Sequence, residues 1–343
     1  MKKILKIVIS IFMILTCIGV TLCLSIIHSR ELIVLRNLWI ETAMSTLHHQ
    51  WLATSIFPDD VIDEVIGNKA ETVKSTPSPT STPEPEKSKS TIFNNYTDLS
   101  KGDVDFAGNS VYEVNIEQEI AIMDVSGQDY KGKIAVIEDP SRVCVAHTSQ
   151  KGVIGSNILT FLSRNNAILA VNASGFADYN GVGDGGEIVG ASCASGEIWG
   201  TYTEEYNTIA FDCDNKLHIG VFGYWKENNI RDAVQFNPAL ILNGEKQVEG
   251  SAGWGISPRT AIGQRNDGAV VILTIDGRKP GYSIGATMEQ CADEMLKYGV
   301  VNAAACDGGS STIMGYNGQI ITRCSSPQKG GRYLPNAFIV KKK

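Results

Sequence analysis

Residues 269–309 read AVVILTIDGRKPGYSIGATMEQCADEMLKYGVVNAAACDGG. Two runs of strand length, Ala269–Ile275 and Val300–Cys306, are built from β-branched and small apolar residues, and each stops at an Asp-Gly pair. Between them Thr287 is followed three residues on by Gln290, the capping-box pattern that opens a helix expected over Thr287–Tyr298. Further strand-length runs flank this stretch: KIAVIED from Lys133, AILAVN from Ala167, NTIAFDC from Asn207 and RTAIGQ from Arg259. Only Ser156–Asn165 repeats the helical pattern. Many strands with few helices lack the regular alternation of a doubly wound sheet, so the expected class is α+β, one mixed, strand-rich domain.

That domain is expected to occupy residues 100–343 of the 343-residue chain. Upstream, KSTPSPTSTPEPEKSKST from Lys74 to Thr91 replaces apolar residues with prolines and hydroxyls, which marks residues 71–99 as a Pro/Ser/Thr-rich linker. Spaced apolar residues within 31–70, among them Leu32, Leu35, Trp39, Trp51 and Ile56, suit a helical membrane-proximal stalk. Residues 1–30 hold an uncharged run, Ile7–Ile27, whose about 21 residues match a hydrocarbon core of about 30 Å. The run is longer than a signal-peptide core and has no small-residue exit, so it reads as an uncleaved transmembrane anchor. Lys2, Lys3 and Lys6 before it place the short tail inside and the C-terminal domain outside the cell.

A formal net charge of −7, with basic clusters only at the two termini, excludes a nucleic-acid partner. Six of the eight cysteines lie outside the apolar run and none forms a Cys-x-x-Cys pair, so metal-ligand spacing is missing. In an oxidising compartment these six pair in more ways than spacing resolves, and buried free thiols are the alternative. His48-His49 fits exposed helix positions.

Four polar clusters end the apolar runs: VNASGF at 171–176, SPRTAIG at 257–263, TIDGRKPGYSIGAT at 274–287 and CDGGSSTIM at 306–314. Any one of them is ordinary turn chemistry. Together they bring Asn172, Arg259, Asp276, Arg278, Asp307 and Ser310 to strand ends, where side chains from several strands converge on one pocket. Gly308 and Gly309 let backbone N–H groups approach an anion, with Ser310, Ser311 and Thr312 as further donors. Asp184-Gly185-Gly186 repeats the motif in a glycine-rich loop and reads as a pocket lip. Ser-His-Asp hydrolysis would need His147 or His218, but no Gly-x-Ser-x-Gly is present. Cys306, inside an apolar strand, suits packing better than nucleophilic attack. No cofactor is required by the sequence, and no ligand motif demands a divalent metal at Asp307 and Asp276.

Pro258-Arg259-Thr260-Ala261-Ile262-Gly263, Asp276-Gly277-Arg278 with Gly281-Tyr282-Ser283-Ile284-Gly285, and Asp307-Gly308-Gly309-Ser310-Ser311 together resemble the phosphodiester glycosidase family, in order and in spacing. The resemblance covers roughly residues 105–340. One element departs from it: Asn172-Ala173-Ser174-Gly175-Phe176 stands where the family shows Asn-Gly-Gly-Phe-Phe, which bears on the shape of the pocket and so on the substrate.

The resemblance implies a hydrolase of sugar-1-phosphodiester linkages. Such a reaction develops cationic character on the sugar and negative charge on the departing phosphate. Arg259 and Arg278 offer planar forks to phosphate oxygens, and Asp307 or Asp276, with Asn172 beside them, supplies a base or a group facing the sugar cation. The expected substrate is a sugar-phosphate linkage in an envelope polymer such as a teichoic acid or exopolysaccharide, cleaved or transferred. The alternative is a non-catalytic envelope module that binds anionic glycans through the same arginines.

Overall fold

Val270–Ile275 is buried along its whole length, as is Ala167–Asn172, which is why both read as unbroken apolar runs rather than alternating ones. The computed structural model describes residues 13–18, 21, 32–46, 49–72, 80–82, 92–178 and 183–343. Five strands and one helix position the site. They are β1 (Ala167–Asn172), β2 (Arg259–Arg265), β3 (Val270–Ile275), α1 (Met288–Lys297), β4 (Val300–Cys306) and β5 (Asn336–Lys341).

Three antiparallel sheets carry them. The largest runs Glu245–Lys246, Ala239–Leu242, β4, β2, β3, Lys131–Ile137, Ile120–Ser126, Ser110–Asn115. In it Thr260 of β2 stands opposite Cys306 of β4, and Arg259 opposite Ile275 of β3. The second sheet runs Gln319–Ile320, Met314–Tyr316, β1, β5, Val143–His147. The third runs Thr80–Ser81, Leu217–Gly220, Asn207–Asp212, Ile230–Phe236, Ala191–Ala194, Glu197–Gly200. One apolar core joins all three, through residues such as Ile122, Val171, Phe211, Ile272, Ala304 and Phe338. Every pairing among the described residues is antiparallel, which agrees with the α+β expectation and rules out a doubly wound parallel sheet.

Both expected helices are present. Ile158–Arg164 starts at Asn157, whose side chain accepts from Thr160 N, and α1 starts at Thr287 with both capping-box bonds made.

The upstream segments depart from expectation. Thr80–Ser81, placed in the linker, forms an edge strand against His218–Ile219, and Thr82 is buried with its hydroxyl accepting from Asn302. Ile92, Phe93 and Tyr96 are also buried. The strand-rich unit accordingly takes in residues well before 100, and its contacts group Thr72–Ala252 with Ile256–Lys343. The segment expected as a stalk is a small helical cluster: Ile33–Met44, Trp51–Thr54 and Asp59–Thr72 bury Ile40, Ala43, Ala53, Phe57, Ile62 and Val65 among themselves.

The expected anchor, Ile7–Ile27, and His48 lie largely outside the described residues. Among the described residues no helix is long and apolar enough to cross a membrane. The described cysteines are free thiols, four of them buried.

Candidate active site

The C-terminal end of β4 meets the end of β1, where the first two sheets come together. Asp307 follows directly on β4. Its N–H donates to Ala173 O at 2.8 Å, and its carbonyl accepts from Asn172 Nδ2 at 2.6 Å. Asn172 is fully buried, and its Oδ1 accepts from Thr260 Oγ1 at 2.7 Å and from Ile313 N at 3.2 Å. One amide therefore ties β1, β2 and both sides of the Asp307 turn. Its Oδ1 and one of its two N–H donors hold these segments in place.

The Asp307 carboxylate points into the turn it begins. Oδ1 accepts from Gly308 N at 2.9 Å, and the Ser311 hydroxyl bonds to the same group. Burial pushes its pKa from 3.8 to about 6; the Ser311 and Gly308 bonds and the Arg332 cation pull downward, and Asp178 pushes up. The residue nevertheless keeps part of its surface open.

The glycines are dictated by space. A Cβ on Gly308 would lie 2.8 Å from Pro258 O, and Gly309 N donates to that same oxygen at 2.9 Å. Gly309 has φ 60°, and a Cβ there would lie 3.1 Å from Arg278 Nη2. Arg259 Nη1 lies 3.8 Å from the Cβ position of Gly308. Two guanidinium groups thus converge on the Gly308-Gly309 turn. Arg259 is buried, its Nε donates to Ala286 O at 3.1 Å, and burial lowers its pKa to about 10, so it stays cationic at neutral pH. Arg278 is exposed, holds φ 56° in the left-handed region, and donates from Nη2 to Ser257 Oγ at 3.3 Å.

The structure thus brings together Asn172, Arg259, Arg278, Asp307, Gly308, Gly309 and Ser311. Ser310 is partly exposed and its carbonyl accepts from Cys324 Sγ at 3.4 Å. Thr312 is buried, with no hydrogen-bond partner for its hydroxyl among the described residues.

Asp276 follows directly on β3. Its Oδ2 accepts from Tyr282 Oη at 3.0 Å and its Oδ1 from Arg323 N at 2.9 Å, while Arg323 stacks on Tyr282 with 4.0 Å to the ring centre. Burial raises its pKa. Its partner Arg323 precedes Cys324, whose thiol donates to Ser310 O in the Asp307 turn, and Asp276 heads the loop that carries Arg278.

Two charged residues beside Asp307 lack a sequence signal. Arg332 pairs with Asp178, donates to Gly183 O at 3.0 Å and lies 4.5 Å over the Phe176 ring. Neither belongs to a motif, and only the fold brings the segments after β1 and before β5 together. Asp184-Gly185-Gly186 packs on other loops: Gly155 N donates to Asp184 O and Gly152 N to Gly186 O, each at 2.8 Å.

The histidines serve elsewhere. His147 Nε2 lies 3.0 Å from Ser192 Oγ, but Ser192 is fully buried and offers no accessible nucleophile; His218 pairs with Asp212 at 2.7 Å. Cys306 is buried and its thiol pKa is raised by that burial, in line with packing. No group of three or more metal-ligating side chains occurs among the described residues.

Comparison with known proteins follows the same segments. The sequence profile of the phosphodiester glycosidases matches residues 165–341, which contain every residue of the Asp307 cluster. An uncharacterized SPbeta prophage-derived protein of Bacillus subtilis, YomE, is 28% identical over 183 residues, covering 49% of this chain and 27% of its own length. The chain therefore spans about a quarter of that relative. Among solved structures, the catalytic domain of zebrafish N-acetylglucosamine-1-phosphodiester alpha-N-acetylglucosaminidase, auto-inhibited by its pro-peptide, superposes with a TM-score of 0.53 at 18% identity. The match covers 65% of this chain and 82% of that one. A hypothetical protein from Synechocystis gives 0.49 at 15% identity, over 68% and 64% of the two chains. The zebrafish likeness establishes a shared fold.

Proposed function

This chain belongs to the phosphodiester glycosidase family, and from that membership we propose that it hydrolyses the bond between a sugar anomeric carbon and a phosphate oxygen at the Asp307 turn. The observation that carries the reading is one turn holding a carboxylate with a pKa near 6 beside two guanidinium groups. Turns need no arginines, and a phosphodiester needs both signs of charge.

In this reading Arg259 and Arg278 bind the phosphate oxygens and stabilise the charge that collects there as the C1–O bond lengthens. Ionised Asp307 accepts a proton from water, the water oxygen bonds to C1, and the C1–O electron pair leaves with the phosphate. Phosphate is a good leaving group, so little general-acid help is needed. Gly308 and Gly309 keep the wall thin, and the Ser311 hydroxyl holds the carboxylate. Because Asp307 must be ionised, activity is expected to rise as pH passes about 6.

We place the substrate in an envelope polymer, with the domain outside the cell on the Ile7–Ile27 anchor. The support is the uncharged run with lysines before it.

Incubation with a synthetic N-acetylglucosamine-1-phosphodiester, the linkage named for the zebrafish relative, and with other sugar-1-phosphodiesters is expected to release free sugar and a phosphomonoester. Asp307→Asn is expected to lower that turnover by on the order of 10² or more with the fold intact. Binding without release, in wild type and variant alike, would make the chain a glycan-binding module instead.

A further inference from the structure

A cavity of about 880 Å³, lined by none of the residues of the Asp307 turn, lies between the segment after Glu197–Gly200 and the segment after Leu217–Gly220. Its wall is aromatic, formed by Tyr202, Phe222, Tyr224 and Trp225, with Glu204 and Glu227 at its polar side. The size is within the range of small-molecule sites.

The wall is built rather than incidental. Trp225 is buried and meets Tyr202 edge to face, with ring centres 6.3 Å apart. Its Nε1 donates to Phe222 O at 3.0 Å, its carbonyl accepts from Ile230 N at 2.8 Å, and Asn228 closes the loop onto Tyr224 O and Gly223 O. Opposite, Gln235 is buried and clamps Thr203 through both ends of its amide, while Asn237 donates to Glu205 O at 2.7 Å. In the midst of this rigid frame Tyr224 stands 83% exposed with φ 53°. A bulky residue in the left-handed region is strained, and here the strained residue carries its aromatic ring out to solvent.

We infer that this cavity is a second glycan subsite that takes a neutral pyranose ring of an oligosaccharide, apart from the Asp307 turn. The C–H face of a sugar ring packs on the electron-rich face of an aromatic ring, and sugar hydroxyls donate to carboxylates. The charge on the lining selects the neutral part of the chain: Glu204 and Glu227 stand against Lys226 alone, and that negative excess repels phosphate. The phosphate is left to the two arginines. The cavity and the turn share a scaffold, because the residue after Asn237 accepts, through Pro238 O, from Ala305 N at 3.0 Å, two residues before Asp307. The inference rests on the reading of the substrate as a glycan but not on turnover at Asp307.

The test uses the full chain in detergent, carrying Asp307→Asn, on an array of neutral oligosaccharides of three or more sugars. Retention of at least one of them is expected, weakened tenfold or more by Tyr224→Gly, which removes the ring while relieving the backbone, and also weakened by Glu227→Gln. Retention of no neutral oligosaccharide, or retention untouched by Tyr224→Gly, would overturn the subsite. Retention that exists in wild type but vanishes with Asp307→Asn would also overturn it, by placing the sugar at the turn. Absence of phosphodiester turnover by the wild-type chain, with array binding intact, would instead sink the hydrolase reading and leave the subsite standing.

Discussion

Asp307 shows how a desolvated carboxyl costs stability. Its carboxyl has a pKa near 6 in the fold against 3.8 when solvated, so the folded protein is penalised for ionising it. The group's contribution is whole below about pH 4 and is lost as pH rises through about 6. Asp307→Asn removes the penalty and keeps the acceptor for Gly308 N. At about pH 8 the variant is expected to be more stable than wild type by on the order of 2 kcal/mol, with the gain gone at about pH 4. Denaturant melts at the two pH values read this directly, and equal midpoints at both would mean that the carboxyl is not desolvated. Asp276-Gly277 and Asp307-Gly308 are the same dipeptide after the same kind of strand, and the fold gives their carboxylates different partners: Tyr282 and Arg323 N for Asp276, Gly308 N and Ser311 for Asp307.

Among the elements, the apolar runs and the capping box were readable because burial and capping act locally. The strand Thr80–Ser81 was not, because its residues carry no apolar pattern; its pairing with His218–Ile219 is made by backbone alone. The neighbouring Ile92, Phe93 and Tyr96, which are 2%, 5% and 0% exposed, lie past the proline-rich stretch and before the expected boundary at residue 100. Large buried side chains contribute about 1.5–3 kcal/mol each. A fragment of residues 100–343 is therefore expected to melt well below a fragment of residues 80–343. Coincident melting curves would restore the boundary to residue 100. The helical segment before them followed its periodicity in kind, but the distance between its apolar residues concealed that Ile40, Phe57 and Val65 pack on one another.

At the scale of the whole molecule, the proposal that the domain lies outside the cell predicts that trypsin added to intact cells cuts at Lys74, Lys87 or Lys89 and truncates the protein from its N-terminal side. A domain left uncut until the cells are opened would put it on the inner side. The α+β class, the strand list and both helices of the strand-rich unit were determined by sequence alone, since each rests on a local pattern: apolar run, cap, or polar stop at a strand end. Tertiary structure alone decided the partners of the Asp276 carboxylate and that Arg332 and Asp178 lie beside Asp307. It alone also decided that Tyr224 is held outward over a cavity. Those outcomes depend on which distant segments meet, and no local pattern records the pairing of β2 with β4 or the bond from Asn172, at the end of β1, to Asp307 O that joins the two sheets there.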